Sequence, residues 1–538
     1  LSNISVDAFL TPSLVLSEMV EAGPIAKSLA LIHEVGSTNG GGRTLSYSGS
    51  VHDPHSPNSK VAFLSVKDIR HRFDVGDLGS LELLDLLLAR VAVIDAKDSD
   101  IALNSLAALS DDARHVAKER DDERARGVVR GVLHGVPVLI KDNIEAHGLP
   151  GLAGSTSLIG RPVRDATLVT RLREAGAVVF GSTNLSQWAN IRSPRSTSGY
   201  SSSAGLVANP WSLDRSAGGS SSGSGAALAA GLSPLAVGTE TDGSIVCPAS
   251  LNGVVGLKPT VGNVPTTYVI PISKSQDSPG PMGRSVDDVA LLYSVLAQSD
   301  PPTSTQTPTF AVATNWRTGH PQTDQLFDEV VAALRESGLS IIDREAALPG
   351  EQEFADEGAV LFAELFDDLS EYLQDRPGEG VHSLADVVAF EDEHRNTEQV
   401  YFGHENFTIS LMSGGRAGGL YKEARERNLQ WAIDTCLTPA LADVDLLLAP
   451  AFGPSWKSDL IVGGHPGPAS PATTAPAIAG WPILSMPMGL VGGLPVGLAI
   501  VGRAQSEWTI LEGARRIEDA VKERGPKPTP QWAAPARG

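Results

Sequence analysis

A lysine, two serine-bearing segments and the glycines beside them are the residues here whose types and spacing could make a nucleophile and its base. Lys141 ends a short apolar run, Val136 to Ile140, and precedes Asp142 and Asn143. A lysine at a strand end is ordinarily solvated or paired with a carboxylate; buried and neutral, it can act as a base. GGSSSGSG at 218–225 runs directly into AALAAGLSPLAVGTETDGS, an apolar helix and a strand, which a free linker has no reason to do. Residues 219–223 also satisfy GxSxG, with Ser221 as the nucleophile of an elbow. That elbow needs an apolar strand directly before it, and VANPWSLDRSA reads as a loop. GTETDGS ends at Ser244, ahead of a short apolar helix from Ile245 to Leu251. Ser244 reads either as a plain N-cap or as a nucleophile beside several free N–H groups, the donors an oxyanion needs.

The elements that must hold these residues alternate. Ser80 looks like an N-cap for a helix carrying Leu84, Leu87, Leu88, Val91 and Ile94. From residue 132 onward, short apolar runs read as strands: 136–140, Ala177 to Phe180, Leu235 to Val237, Val254 to Leu257, Phe310 to Ala313, Asp445 to Pro450 and Ile483 to Pro487. Between them, Asp165 is expected to cap a helix that Gly176 stops, and Ser285 to cap another. Residues 350–440 read as mostly helical. Such alternation predicts an α/β protein: a three-layer α/β/α sandwich on a central mixed, largely parallel sheet. Residues 1–61 are read as an N-terminal extension and 62–535 as the main domain.

Composition removes several classes of function. The 538 residues carry a net charge of −21, which disfavours nucleic acid and anionic membranes as partners. No apolar stretch is long enough to span a bilayer. Cys247 and Cys436 are too few for a disulfide framework, though one bridge stays open. Cys247 would need an activating partner to be a nucleophile and reads as a buried thiol. His52 and His55 form HxxH on a Pro-rich loop without a third ligand, so no metal site is expected. The sequence starts at Leu1 rather than Met; a cytoplasmic location is the expectation, with a removed signal peptide left open.

Taken together, Lys141, GGSSSG at 218–223 and TDGSI at 241–245 resemble the amidase signature family. The likeness continues in GVPVLIKDNI (135–144), DATLVTRLREAGAVVFGSTNLSQWAN (165–190), GVVGLKPTVG (253–262), SPGPMGRSVDDVA (278–290), GWPILSMPMG (480–489) and GLPVGLAIVG (493–502). Within the family, TETDGSIVCPA and PISKSQDSPGPM are most similar to bacterial peptide amidases, which act on C-terminal peptide carboxamides.

The resemblance implies the amidase signature fold and a Ser–Ser–Lys triad, with no cofactor and no metal. Ser244 would attack the amide carbonyl. Ser220, after a cis peptide bond from Gly219, would relay protons to a neutral Lys141. Backbone N–H groups of Thr241, Asp242, Gly243 and Ser244 would hold the oxyanion. Gly218, Gly219 and Gly243 would let the backbone approach the reacting carbonyl. The implied partner is a small-molecule or peptide amide, met by a monomer or homodimer. Aryl or aliphatic amides are the alternative substrates, and an ammonia-donating subunit of a larger complex the alternative role. The family often has Lys where this chain has Ser182, and an acidic residue where it has Gln187. The variable region at about 300–440 is expected to wall the acyl pocket; its Phe354, Phe362, Phe366 and Tyr372, at near-helical spacing, read as core more often than as substrate contacts.

Overall fold

Most strands of the central sheet are buried along their whole length, because helices cover both of its faces. The computed structural model describes residues 57–522, apart from 100, 162, 304, 305, 465 and 466. Of the extension expected over 1–61, only the last residues are therefore described, in a helix Pro57–Ala62. The site is carried by an eleven-stranded sheet. Its strands are β1 Leu106–Leu109, β2 Pro137–Lys141, β3 Val178–Thr183, β4 Leu235–Glu240, β5 Val255–Lys258, β6 Ser278–Gly283, β7 Phe310–Ala313, β8 Ile341–Arg344, β9 Leu446–Pro450, β10 Ile483–Val491 and β11 Leu494–Gly502. The spatial order is β1-β3-β2-β4-β6-β5-β10-β11-β9-β7-β8.

Period-two alternation sorts the side chains. Val138, Ile140 and Val237 pack on one face with Ile69, Phe73, Leu168 and Leu172. Leu139 and Ala236 pack on the other with Leu84, Leu88, Leu228 and Ala249. In the second half of the sheet, Phe310 and Val312 join Phe327, Val330 and Ile510, whereas Ala311 and Ala313 join Cys436, Ala475 and Ile478. Each buried valine, leucine, isoleucine or phenylalanine among them contributes about 1.5–3 kcal/mol. The expected α/β/α layering is what results.

The sheet is mixed, but antiparallel neighbours outnumber parallel ones. Of its ten adjacent pairs, only β2–β3, β2–β4, β7–β8 and β7–β9 are parallel. Parallel pairing needs a crossover, which helix Thr167–Glu174 supplies between β2 and β3 and helix Pro321–Glu336 between β7 and β8. β10 and β11 instead form a hairpin through Gly492 and Gly493, both at positive φ (58° and 81°), as a tight two-residue turn requires.

Local details differ from expectation in two caps. Asp165 does not cap its helix: its carboxylate accepts the His147 N–H at 2.8 Å and pairs with Arg173. Ser80 lies inside its helix, Ser80–Ile94, and donates to the Gly135 carbonyl at 2.7 Å. Ser285 is the cap it was expected to be, accepting the Asp288 N–H at 3.2 Å. Residues 351–375, 384–393, 405–413 and 421–429 are helices, as the sequence indicates. Among the described residues, no helix is long and apolar enough to cross a membrane.

Candidate functional site

Lys141 is the last residue of β2, an all-buried strand parallel to β3 and β4, so its side chain starts inside the sheet. It is fully buried. Its Nζ lies 2.7 Å from Ser220 Oγ, 2.9 Å from Thr239 Oγ1 and 3.2 Å from the Thr239 carbonyl. Burial pulls its pKa down from 10.5 to about 7, against the opposing pull of the Asp277 and Glu240 carboxylates. No carboxylate salt bridge reaches the amine among the described residues. An amine so buried can lose its proton near neutral pH.

Ser220 follows a cis peptide bond from Gly219 and is also fully buried. Glycine is required on both sides of that approach. Gly218 sits at φ 69°, and a Cβ there would stand 2.9 Å from Cys247 Sγ; a Cβ on Gly219 would collide with Ser186 Oγ. Helix Ser222–Ala229 follows at once, every residue of it buried, so GGSSSGSG is a core element and no linker. Ser221 is committed elsewhere. Its Oγ donates to the Thr239 carbonyl (3.0 Å) and accepts the Thr239 N–H (3.2 Å), pinning the segment to β4. Its N–H donates to the Ser244 carbonyl at 3.1 Å, which brings the two serine-bearing segments together.

Ser244 stands at the end of the loop that leaves β4. It retains 9% of its surface, where Lys141 and Ser220 retain none, so Ser244 is the one of the three that an incoming molecule can touch. It does not cap the following helix, Val246–Asn252. That task falls to Glu240, whose Oε2 accepts the N–H groups of Ile245 (2.6 Å) and Val246 (2.8 Å). Within the loop, Gly243 sits at φ 72°. Thr241 Oγ1 donates to Asp277 Oδ1 at 2.6 Å, while Asp277 Oδ2 accepts the N–H groups of Ile272 and Ser273. The N–H groups of Thr241, Asp242, Gly243 and Ser244 donate to no other described residue. Four consecutive unspent donors beside an accessible hydroxyl can hold a developing negative oxygen.

Cys247 and Cys436 are both free and buried, and burial pushes the Cys247 thiol up to about 12, far from a reactive thiolate. Among the described residues, no group of three or more His, Cys, Asp or Glu is placed to hold a metal. His52 and His55 lie outside the described residues.

Four contributors were not singled out from the sequence: Thr239, Glu240, Asp277 and Asn143. Thr239 and Glu240 stand inside GTETDGS as the last two residues of β4, and Asp277 inside SQDSPGPM. Asn143 Nδ2 donates to Thr239 Oγ1 at 3.0 Å, the same hydroxyl that Lys141 meets. The two departures from the family pattern also find places. Ser182 is buried in β3 opposite Ile140. Gln187 accepts from Ser202 and donates to Glu398, a buried carboxylate that also takes the Thr156 N–H at 2.8 Å. Of the four aromatics of the variable region, Phe354 is 55% exposed, whereas Tyr372 is buried, its hydroxyl donating to Glu145 at 2.7 Å. The helix face that meets the site region is instead that of Leu365, which lines a cavity with Phe407 and Asn143.

The profile of the Amidase family matches residues 85–511. A glutamyl-tRNA(Gln) amidotransferase subunit from Symbiobacterium thermophilum is 32% identical over 501 residues, 86% of this chain and 98% of the relative. Among solved structures, the native peptide amidase from Stenotrophomonas maltophilia matches with a TM-score of 0.80 at 37% identity, covering 87% of this chain and 98% of that one. An amidase family protein from Bacillus anthracis matches at 0.76 and 27% identity, covering 88% and 93%. The matched span holds Lys141, Ser220 and Ser244 together with the whole sheet that positions them, and on that ground the chain belongs to the amidase family and is an amide-hydrolysing enzyme.

Proposed function

We propose that the chain hydrolyses a primary carboxamide to acid and ammonia through an acyl-enzyme on Ser244, with C-terminal peptide amides as its substrates. The observation that carries this reading is the 2.7 Å contact between Lys141 Nζ and Ser220 Oγ, at a lysine whose pKa is near 7. A neutral Lys141 can donate both protons to Thr239 and accept from the Ser220 hydroxyl. Ser244 Oγ then attacks the carbonyl carbon, its proton passing to Ser220 Oγ as the Ser220 proton passes to Lys141. The carbonyl oxygen becomes an oxyanion facing the N–H groups of 241–244. Collapse breaks the C–N bond, and Lys141 returns the proton through Ser220 to the departing nitrogen, which leaves as ammonia. Water repeats the sequence on the ester and releases the acid, restoring Ser244.

Support for the peptide amide class comes from the likeness to the peptide amidase of Stenotrophomonas maltophilia. The test is ammonia release by the purified chain from a panel of peptide, aryl and aliphatic amides. Turnover of the latter two without the first would move the substrate class. A second reading has its own observation, the likeness to a glutamyl-tRNA(Gln) amidotransferase component along nearly its whole length, and makes the chain an ammonia donor within a larger complex. Gel filtration of the pure chain with the same assay separates the two: activity as a monomer or homodimer removes the donor role.

A further inference from the structure

Lys258 is the last residue of β5, and its side chain faces the layer that carries Ser244. Register places it opposite Ile483 of β10, which packs with Val246. Two residues back on the same face, a Cβ on Gly256 would stand 2.7 Å from Ile245 Cγ2 and 3.0 Å from Ala249 Cβ, both just past Ser244. Lys258 is fully buried, and among the described residues its Nζ has no hydrogen-bond partner. An ammonium has three protons to give and accepts none. Such an orphan inside a fold is costly unless opposite charge stands near it.

That opposite charge belongs chiefly to the Ser244 loop. The carboxylates that sustain the positive charge of Lys258 against burial are, in order, Glu240, Asp242 and Glu507. The first two have an oxygen left over. Glu240 Oε1 and Asp242 Oδ1 are buried atoms with no partner among the described residues. Glu507, which opens helix Glu507–Lys522, is engaged elsewhere: its Oε1 accepts the Thr260 N–H at 2.7 Å and Asn263 Nδ2 at 2.9 Å. The other titratable groups facing the pair are Glu357, toward Asp242, and Lys141 and Cys247, toward Glu240. Lys141 must be neutral to accept a proton, which leaves Lys258 as the counter-charge of Glu240.

We infer that Lys258 is a positioning residue for the reaction: its ammonium lets Glu240 and Asp242 stay negative inside the fold, and so keeps the 241–244 loop in the shape that presents Ser244 and its N–H groups. This rests on the amide hydrolysis proposed above. An ionised acceptor makes hydrogen bonds roughly twice as strong as a neutral one, and Glu240 Oε2 applies that strength to the N–H groups of Ile245 and Val246. Lys258 acts across a gap, through a field that the interior screens far less than water does. Without it, a buried carboxylate bears its desolvation alone and takes up a proton. A neutral Glu240 grips the loop more weakly. It also withdraws one of the two charges that hold the Lys141 pKa up.

The test measures kcat and KM across pH for ammonia release from the best amide of the panel. The variants are Lys258→Met, Glu240→Gln and Glu507→Gln, and Lys258→Met combined with each of the other two. Lys258→Met alone should lower kcat at least about tenfold, the scale of a displaced reacting group, with KM within about twofold of the wild type. With Glu240→Gln already in place, the same change should cost less than about threefold, because residues that act as a unit are not additive. The acid limb of kcat/KM in Lys258→Met should move to lower pH, since a protonated Glu240 no longer supports the Lys141 ammonium. Lost packing alone would leave that limb in place. If Lys258→Met does not fold, its combination with Glu240→Gln removes both charges and should fold; a combination no more stable than the single variant overturns the inference. Equal losses in both backgrounds, an unmoved limb, or coupling to Glu507 in place of Glu240 also overturns it and leaves the hydrolysis standing. Absence of ammonia from every amide with the wild-type chain overturns both.

Discussion

Glu240 Oε2 accepts the N–H of Ile245 at 2.6 Å, and so grips the chain one residue beyond Ser244. The same oxygen takes the Val246 N–H, so one carboxylate sets the direction in which the Ser244 loop enters its helix. Glu240→Ala leaves both N–H groups without that partner and frees the loop. We expect kcat to fall by about 10²-fold, the scale of a misplaced reacting group, with KM changed little. Glu240→Gln keeps an acceptor oxygen and should lose less. It also removes a negative charge that holds the Lys141 pKa up, so the acid limb of kcat/KM should move to lower pH. Steady-state kinetics across pH check both statements.

The three serines should separate cleanly. Ser244→Ala removes the proposed attacking oxygen and Ser220→Ala the proposed relay, so both should abolish turnover within detection or nearly so, with the fold intact. Ser221→Ala removes the bridge to both backbone groups of Thr239. It should cost about 1–3 kcal/mol of stability, since the buried Thr239 N–H loses its partner and the Thr239 carbonyl keeps only Lys141. Its kcat should stay well above that of Ser220→Ala. Urea denaturation and ammonia release, measured on the same preparations, decide this. A Ser221 variant less active than the Ser220 variant would sink the assignment.

How far the sequence spoke depended on whether a residue's partners were near it in the chain. Local pattern placed Lys141, Ser220 and Ser244 at junctions of apolar runs with glycine or polar turns but left each of them open, and their proposed roles came from the resemblance of those segments to one family. Thr239 was not singled out, since a threonine in a strand has no pattern of its own, and its partner Asn143 is distant in sequence. β6, SPGPMG, was invisible as a strand because proline and glycine are poor strand formers. It forms because β4 and β5 bracket it, and Gly280 is demanded by contact with the Leu257 carbonyl, where a Cβ would clash. The excess of antiparallel pairs escaped for a related reason: alternation of strands and helices shows crossovers, and hides hairpins such as β10–β11. The cavity is assembled from segments around 143, 153, 188, 271, 365 and 407, which no local pattern connects.

No step of the proposed chemistry uses a metal, since Lys141 supplies the proton transfers and backbone N–H groups face the oxyanion. Dialysis against EDTA should therefore leave ammonia release unchanged. Loss of activity that zinc restores would bring His52 and His55 back into consideration and count against a lysine base.

The sharpest expectation concerns the charge on Lys141. Its pKa of about 7 lies well below 10.5 because burial disfavours the ammonium, and Asp277 and Glu240 only partly oppose this. The base must be neutral, so kcat/KM should fall about tenfold per unit as pH drops below 7, and level off above it. A serine–histidine enzyme would show a similar limb, so the limb does not identify the base. Substitution does. Lys141→Arg keeps a cation that cannot lose its proton. It should be as inactive as Lys141→Ala at every pH, although it preserves the charge and much of the length. Substituting the histidines one at a time should leave the acid limb in place. Substantial activity in Lys141→Arg, or loss of the limb in one histidine variant, would mean that the proton travels by another route.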